Sequence, residues 1–327
     1  MSDLMRAIVL DAPGPPQALT VRRIPVPAPV RGEVLIQVKA FGLNRSELYT
    51  RLGLSGDAVT FPRVPGIEAV GIVAACPGGE FDIDHQVAAL MGGMGRTFDG
   101  GYAEYTCVPA RQVVPFDSTL DWGTLGAVPE MLQTAHGCLT LGLDARPGQS
   151  LLIRGGTSSV GLTAAVLAAR RGMTVLSTTR RAVGAALLRR YGAEHALVDD
   201  GDVAAQVRDL LPEGVDTALE LVGTPTLRDT LLATRVHGVV CYAGALSLEW
   251  TVRDFVPNSF IPHGVRLTGY GGDAHNLPAD VLQSFLDDVQ EGRVRLPVGE
   301  VFPFHRIADA HAAMEAGTAD GKLVVTV

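Results

Sequence analysis

Residues 150–171 read as a strand that runs through a glycine-rich turn into a helix, and this pattern restricts the fold more than any other in the chain. Leu151-Leu152-Ile153 is a short apolar run, Arg154-Gly155-Gly156-Thr157-Ser158-Ser159-Val160-Gly161 is the turn, and Val160 to Arg171 has helical spacing. Glycines at such a turn let backbone N–H groups approach a pyrophosphate, and the helix behind them adds the positive end of its dipole. Of the pattern G-x-G-x-x-G, Gly156 and Gly161 fill the outer positions and Ser158 takes the middle one. The serine allows a slightly less close approach but brings a hydroxyl that can itself donate to a phosphate. Gly156, Thr157, Ser158, Ser159, Val160 and Gly161 are therefore the expected dinucleotide cradle.

The segments around this turn alternate. Strands are expected at Ser150 to Arg154, Thr174 to Thr178, His195 to Val198, Thr217 to Val222, Val239 to Ala243 and Val265 to Gly269. Helices are expected between them at Val160 to Arg171, Ala182 to Tyr191, Val203 to Leu211 and Thr226 to Thr234. Strands and helices alternating at this spacing are the mark of an α/β doubly wound parallel sheet of the Rossmann type. Helices at Pro278 to Gln290 and His305 to Ala316 and a strand at Lys322 to Val327 follow. The chain up to about Asp121 has a different texture. It is rich in glycine, with strands expected at Arg6 to Leu10 and Glu33 to Ala40, where Val34, Ile36 and Val38 alternate with Leu35, Gln37 and Lys39. Ile24-Pro25-Val26-Pro27-Ala28-Pro29-Val30 carries proline at every second position, so it is expected as an extended connector that feeds no ladder.

The second strand of the alternating region bears on which dinucleotide binds. NAD sites place Asp or Glu at the end of that strand to hold the ribose hydroxyls. Here it ends Leu176-Ser177-Thr178-Thr179-Arg180-Arg181, without an acid. Guanidinium forks and hydroxyls suit a 2′-phosphate, which a carboxylate repels. Thr179, Arg180 and Arg181 point to NADPH as the cofactor.

A length of 327 residues suggests two domains, and 47% hydrophobic with 19% charged residues is a globular composition. The net charge of −8 argues against a nucleic-acid partner. Cys76, Cys107, Cys138 and Cys241 are scattered and form no CxxC pair. No apolar run reaches the length of about 18 residues that a membrane span needs, and the short apolar stretch Ala7 to Leu10 gives way to Asp11 and prolines, unlike a secretory signal. A cytoplasmic protein without membrane contact is the expectation.

Several segments outside the glycine turn are informative together: Met5-Arg6-Ala7-Ile8 near the start, Gly42-Leu43-Asn44-Arg45-Ser46-Glu47, Pro65-Gly66-Ile67-Glu68-Ala69-Val70-Gly71, Gly100-Gly101-Tyr102-Ala103-Glu104-Tyr105, and Gly321-Lys322-Leu323-Val324-Val325 near the end. In this order they resemble the opening segment, the G-x-N-x-x-D segment (with Glu47 for Asp), the P-G-x-E-x-x-G segment, the G-x-Y-A-E-Y segment and the closing G-K-I/L-V segment of the zinc-independent, quinone oxidoreductase branch of the medium-chain dehydrogenase/reductase superfamily. The resemblance covers essentially the whole chain. It implies a GroES-like β-rich substrate domain over 1–123 and 270–327, with a Rossmann NADPH-binding domain over 124–269 inserted in it.

The resemblance also implies the chemistry. Relatives with alcohol dehydrogenase activity hold zinc through Cys and His, but the corresponding positions here carry Asn44 and Ile67, so no metal is expected. His85 and His136 are read as surface or core histidines rather than ligands. Without a Lewis acid the suitable hydride acceptor is electron-poor, a quinone or similar carbonyl, with an enoyl or alkenal substrate as the alternative. A catalytically silent NADPH-binding structural or sensor protein is the reading from outside the enzymes. Asn44, Thr134, Gly244, Ala245, Leu246 and Lys322 are implied near the nicotinamide. Asn44 and Tyr49 are the catalytic candidates, the Tyr49 ring to stack on a flat substrate and its hydroxyl to donate to a carbonyl oxygen, unless it only packs. Arg51 is expected in solvent and Glu68 in a structural role. Family members often dimerise through the edge strands of their Rossmann sheets, so a homodimer through Val265 to Tyr270 is expected.

Overall fold

The computed structural model describes residues 3–273, 275–317 and 319–327. In chain order it begins with β1 (Leu4–Val9), β2 (Thr20–Pro25), β3 (Glu33–Gly42), α1 (Arg45–Arg51), β4 (Glu68–Ala75), β5 (Gln86–Leu90), β6 (Tyr105–Pro109), β7 (Val113–Pro115), α2 (Trp122–Leu125) and α3 (Pro129–Gly137). The alternating region follows as β8 (Ser150–Arg154), α4 (Ser159–Arg170), β9 (Thr174–Thr179), α5 (Ala185–Arg190), β10 (His195–Val198), α6 (Val203–Leu210), β11 (Val215–Glu220), α7 (Thr224–Leu232), β12 (Thr234–Tyr242), α8 (Pro257–Phe260) and β13 (Arg266–Gly269). The chain closes with α9 (Ala279–Gln290), β14 (Val298–Pro303), α10 (Ile307–Ala316) and β15 (Lys322–Thr326). Two compact units result, Met1–Glu130 with Asp273–Val327, and Met131–Gly272.

The second unit is a parallel sheet in the order β10-β9-β8-β11-β12-β13. Numbered from β8, this is the 3-2-1-4-5-6 order of a doubly wound dinucleotide-binding sheet, whose order reverses between β8 and β11. The alternation of side chains along each strand divides the core. Leu151 and Ile153 of β8, Val175 of β9, Leu219 of β11 and Cys241 of β12 pack on one face with Leu162, Ala165 and Leu188 of α4 and α5. Leu152, Leu176, Ala218 and Val240 turn to the other face, against Val203, Val207, Leu227 and Leu231 of α6 and α7. Burial on both faces explains why these strands read as continuous apolar runs.

The first unit is built on a sheet in the order β14-β15-β3-β4-β5-β7, with β6 also paired to β3. Val34, Ile36 and Val38 of β3 enter its core, as their alternation predicts, beside Phe41, Val73, Tyr102 and Val325. The two ends of the chain meet in this sheet, where Val324, Val325 and Thr326 of β15 pair antiparallel with Gly42, Phe41 and Ala40 of β3. One expectation is corrected. Ile24 and Pro25 do feed a ladder, because β2 pairs antiparallel with β1 and sets Ile24 opposite Met5 and Pro25 opposite Leu4. The proline is tolerated because it is the last residue of a strand in a two-stranded sheet, where its missing N–H breaks no interior bond.

Candidate functional site

In the second unit the turn between β8 and α4 is held by its own residues. Gly155 N–H donates to Thr178 Oγ1 at 3.0 Å and Gly156 N–H to the Thr178 carbonyl at 3.1 Å, which fastens the turn to the end of β9. Ser158 is the N-cap of α4. Its hydroxyl accepts from Gly161 N–H at 3.1 Å and donates to the Gly155 carbonyl at 2.9 Å. The hydroxyl proton expected to reach a phosphate is thus already used inside the turn, and the serine shapes the cradle from within. Gly161 has to be glycine, since a Cβ there would lie 2.8 Å from the Gly155 carbonyl oxygen and the Gly156 Cα. Gly156 is confined in the same way by Ser177 Oγ behind it. Thr157, Ser159 and Val160 are half-buried at the mouth of the turn.

β9 ends on a half-turn. Thr179 Oγ1 accepts from Arg181 N–H at 3.3 Å and donates to the Arg181 carbonyl at 3.0 Å, and the Arg180 and Arg181 side chains are exposed. Asp199, at the end of the neighbouring β10, bonds the Thr179 carbonyl through its backbone N–H at 2.8 Å. Its carboxylate faces Arg154, which takes it through Nε at 2.8 Å and Nη2 at 2.9 Å. Arg154, 1% exposed, also reaches Asp229 at 2.5 Å. The acid nearest in the ladder is therefore consumed by a buried guanidinium, and Arg180 and Arg181 carry no ion pair among the described residues. Sequence reasoning missed this Arg154–Asp199–Asp229 network, whose partners lie 45 and 75 residues away.

The turn Gly244-Ala245-Leu246 leaves the end of β12 and rests on the turn after β11. Gly244 N–H donates to the Glu220 carbonyl at 3.3 Å and Leu246 N–H to the Leu221 carbonyl at 3.1 Å. The buried Glu220 carboxylate fixes that second turn by accepting from Val222 N–H at 2.7 Å, Gly223 N–H at 3.0 Å and the Thr226 hydroxyl at 3.0 Å. Burial raises its pKa although these donors oppose the shift. Thr134 sits half-buried in α3.

The first unit contains a buried charged cluster around Asn44. Asn44 caps α1 with Glu47 at the third helical position, in the reciprocal capping arrangement. The Glu47 carboxylate accepts from Asn44 N–H at 2.7 Å and from Ile67 N–H at 2.8 Å. The Asn44 amide donates to Glu68 Oε1 at 3.0 Å and makes a longer 3.5 Å contact with Glu47 Oε1. Lys322 reaches in from β15, only 1% exposed, and donates to Asn44 Oδ1, to Glu68 Oε1 at 2.8 Å and to Glu130 Oε2 at 3.2 Å. Glu68, fully buried, also accepts Glu130 N–H at 2.8 Å where α3 begins.

The electrostatics follow from that burial. Desolvation raises the Glu47 pKa to about 7 against the Ile67 hydrogen bond and the Lys322 charge. It likewise raises Glu68, opposed chiefly by Lys322. Burial pulls the Lys322 ammonium down, but the charges of Glu68 and Glu130 outweigh it and keep the lysine protonated. The structure thus brings Asn44, Lys322 and Glu68 together and adds Glu47 and Glu130. Sequence reasoning missed Glu47 and Glu130 as members of this cluster: the Asn44-x-x-Glu47 spacing, that of a capping pair, could have found the first, and nothing local marks Glu130.

Tyr49 is half-buried on α1. Arg51, expected in solvent, is 1% exposed. It donates to the Gly14 carbonyl at 2.6 Å and to His311 Nδ1 at 3.3 Å, and it pairs with Glu315. His311 in turn bonds the Tyr102 hydroxyl at 3.1 Å. Arg51 therefore anchors α1 to α10, and desolvation together with this guanidinium pushes His311 down to about 3, so the imidazole stays neutral.

Residues 30–118 match the family described as alcohol dehydrogenase GroES-like domain, and residues 191–325 the family described as zinc-binding dehydrogenase. A quinone oxidoreductase of Rattus norvegicus is 28% identical over 314 residues, covering 94% of this chain and 93% of that protein. The crystal structure of an NAD-dependent alcohol dehydrogenase superposes with a TM-score of 0.87 at 26% identity, covering 99% of this chain and all of that one. A mycobacterial protein solved in complex with NADPH superposes with a TM-score of 0.85 at 25% identity and the same coverage. The zinc of the second family's description does not suit the residues here. Ile67 has no donor atom, the Asn44 amide is bonded at both ends, and a protonated lysine sits on the carboxylates a cation would need. Exposed His85 lies 3.7 Å from Asp82, and among the described residues no group of three or more His, Cys, Asp or Glu is placed to hold a metal ion. No helix among the described residues is long and apolar enough to cross a membrane.

Proposed function

Because the chain belongs to the medium-chain dehydrogenase/reductase superfamily, in its quinone oxidoreductase branch, and is an oxidoreductase by that kinship, we propose that it reduces quinones or similar electron-poor carbonyl compounds with NADPH and without zinc. The observation that carries this reading is the end of β9. It couples a closed glycine turn to two exposed arginines and has its neighbouring acid paired elsewhere. In this reading Gly156, Thr157, Ser158, Ser159, Val160 and Gly161 cradle the pyrophosphate with backbone N–H groups. Thr179, Arg180 and Arg181 hold the 2′-phosphate. Thr134 and the turn Gly244-Ala245-Leu246 face the nicotinamide end. Asn44 and Tyr49 are the catalytic residues in this reading.

NADPH supplies the hydride when bound. The acceptor would take up that hydride and one proton drawn from solvent water, so quinone, hydride and proton together leave as hydroquinone. The protein's part is to hold and orient both partners and to offer a hydrogen-bond donor where the carbonyl oxygen gains charge. An electron-poor acceptor needs no Lewis acid for this, which agrees with a first unit whose carboxylates are already bonded to a lysine.

Steady-state NADPH oxidation with a panel of quinones beside enals and enoyl thioesters tests the proposal. Quinones are expected to turn over fastest. Faster reduction of enals would assign the chain to alkenal reduction instead. Background rates with every acceptor, while NADPH still binds, would favour a silent NADPH-binding protein.

A further inference from the structure

Lys322 has three N–H donors, and each has its acceptor inside the first unit: Asn44 Oδ1, Glu68 Oε1 and Glu130 Oε2. At 1% exposure the ammonium has no donor left for a phosphate or a nicotinamide. Asn44 is different. It is 8% exposed, more than Glu47, Glu68 or Lys322 though less than Glu130, and one of its two amide N–H bonds has only the 3.5 Å contact with Glu47. The other N–H is spent on Glu68 at 3.0 Å. Turning the amide over would set its NH2 against the Lys322 ammonium and its oxygen against the Glu68 carboxylate, both repulsive. The lysine and the glutamate together therefore fix which way the amide faces.

We propose that Lys322 is a positioning residue and not a cofactor ligand: with Glu68 it locks the Asn44 amide so that its weakly held N–H is the donor offered to the carbonyl oxygen that gains charge during reduction. The proposal rests on the reductase reading above and sharpens the place of one residue in it. Its logic is a division of labour. The buried cation stays bonded to protein at every stage, and of Lys322, Glu68 and Asn44 only Asn44 offers a donor to the substrate. A preoriented donor lowers the barrier because no reorganisation is needed when charge develops.

The test is the double variant Lys322→Met with Glu68→Gln, which removes the central charge pair together and so avoids leaving Glu68 buried and unpaired. Fluorescence titration is expected to give an NADPH Kd within about twofold of the wild type, while kcat for a quinone falls about 10- to 100-fold with KM little changed. Adding Asn44→Ala to the double variant is expected to cost nothing further, because both changes remove the same oriented donor. An NADPH Kd weakened about tenfold or more, the loss of a direct ligand, would overturn the proposal. So would an unchanged kcat. If circular dichroism shows the double variant unfolded, the same readings are taken on Lys322→Arg, whose planar fork does not reproduce three tetrahedral donors. A kcat loss at constant NADPH affinity is again expected, and the opposite pattern overturns the proposal. A wild type that reduces no acceptor sinks the reductase reading instead. The NADPH titration still decides whether Lys322 is a ligand.

Discussion

Glu47 illustrates how a buried side chain is governed by its surroundings. Burial raises its carboxyl from the 4.5 of the free group to about 7. The folded protein therefore keeps a proton that the unfolded chain releases between those values. The stability this lends is complete below about pH 4.5 and is lost as pH rises to about 7. Glu47→Gln has no such proton. It is expected to lose about 2 kcal/mol less unfolding free energy than the wild type between about pH 5 and about pH 7.5, on top of a uniform cost for one backbone N–H acceptor. Urea unfolding at both pH values checks this, and equal pH slopes would contradict it. At this scale the sequence was only partly informative. Asn44 and Lys322 stand in recognisable segments, and they meet. Arg51 read as a solvent residue on a short helix because its partners Gly14, His311 and Glu315 come from other parts of the chain. Only tertiary packing tells a buried guanidinium from an exposed one.

The elements were more legible than their contacts. The strand Ser150–Arg154 falls where the apolar run placed it, because a strand buried on both faces leaves an unbroken apolar signal, and the partly exposed edge strand His195–Val198 also falls where it was expected. β2 was missed, since its Thr20-Val21-Arg22-Arg23 stretch is exposed and its end carries proline, so neither apolar content nor alternation marks it. β12 begins at Thr234, five residues before the apolar run that signalled it, because its first residues Arg235, Val236 and His237 are not core residues. β13 closes one side of the parallel sheet, beyond β12. An edge of this kind has backbone groups able to pair with a second chain. We therefore expect a homodimer joined through β13. Light scattering should give about twice the chain mass of 34.4 kDa. A monomeric mass would contradict the pairing, and Leu267→Pro is expected to shift a dimer toward monomer by removing a ladder N–H.

In the molecule as a whole, each unit has its own core, and the chain's two ends share one sheet through β15 and β3. The sequence changes texture after Trp122, from glycine-rich β to alternating strand and helix, and the structure divides into the units Met1–Glu130 with Asp273–Val327 and Met131–Gly272. Within the second body, the glycine-rich turn, the 3-2-1-4-5-6 strand order and the basic end of β9 lie on consecutive elements, so local pattern exposed them together. The cluster of the first body joins residues 44, 47, 68, 130 and 322, and sequence distance hid half of it. We propose above all that the second unit holds NADPH through Arg180 and Arg181. Calorimetric titration of NADPH and NADH into the wild type and into the Arg180→Ala, Arg181→Ala double variant tests it most directly. The wild type is expected to bind NADPH about tenfold or more tightly than NADH, and the variant to lose that preference with NADH affinity unchanged. A wild type that binds NADH as tightly as NADPH, or a variant that keeps the preference, would contradict the claim.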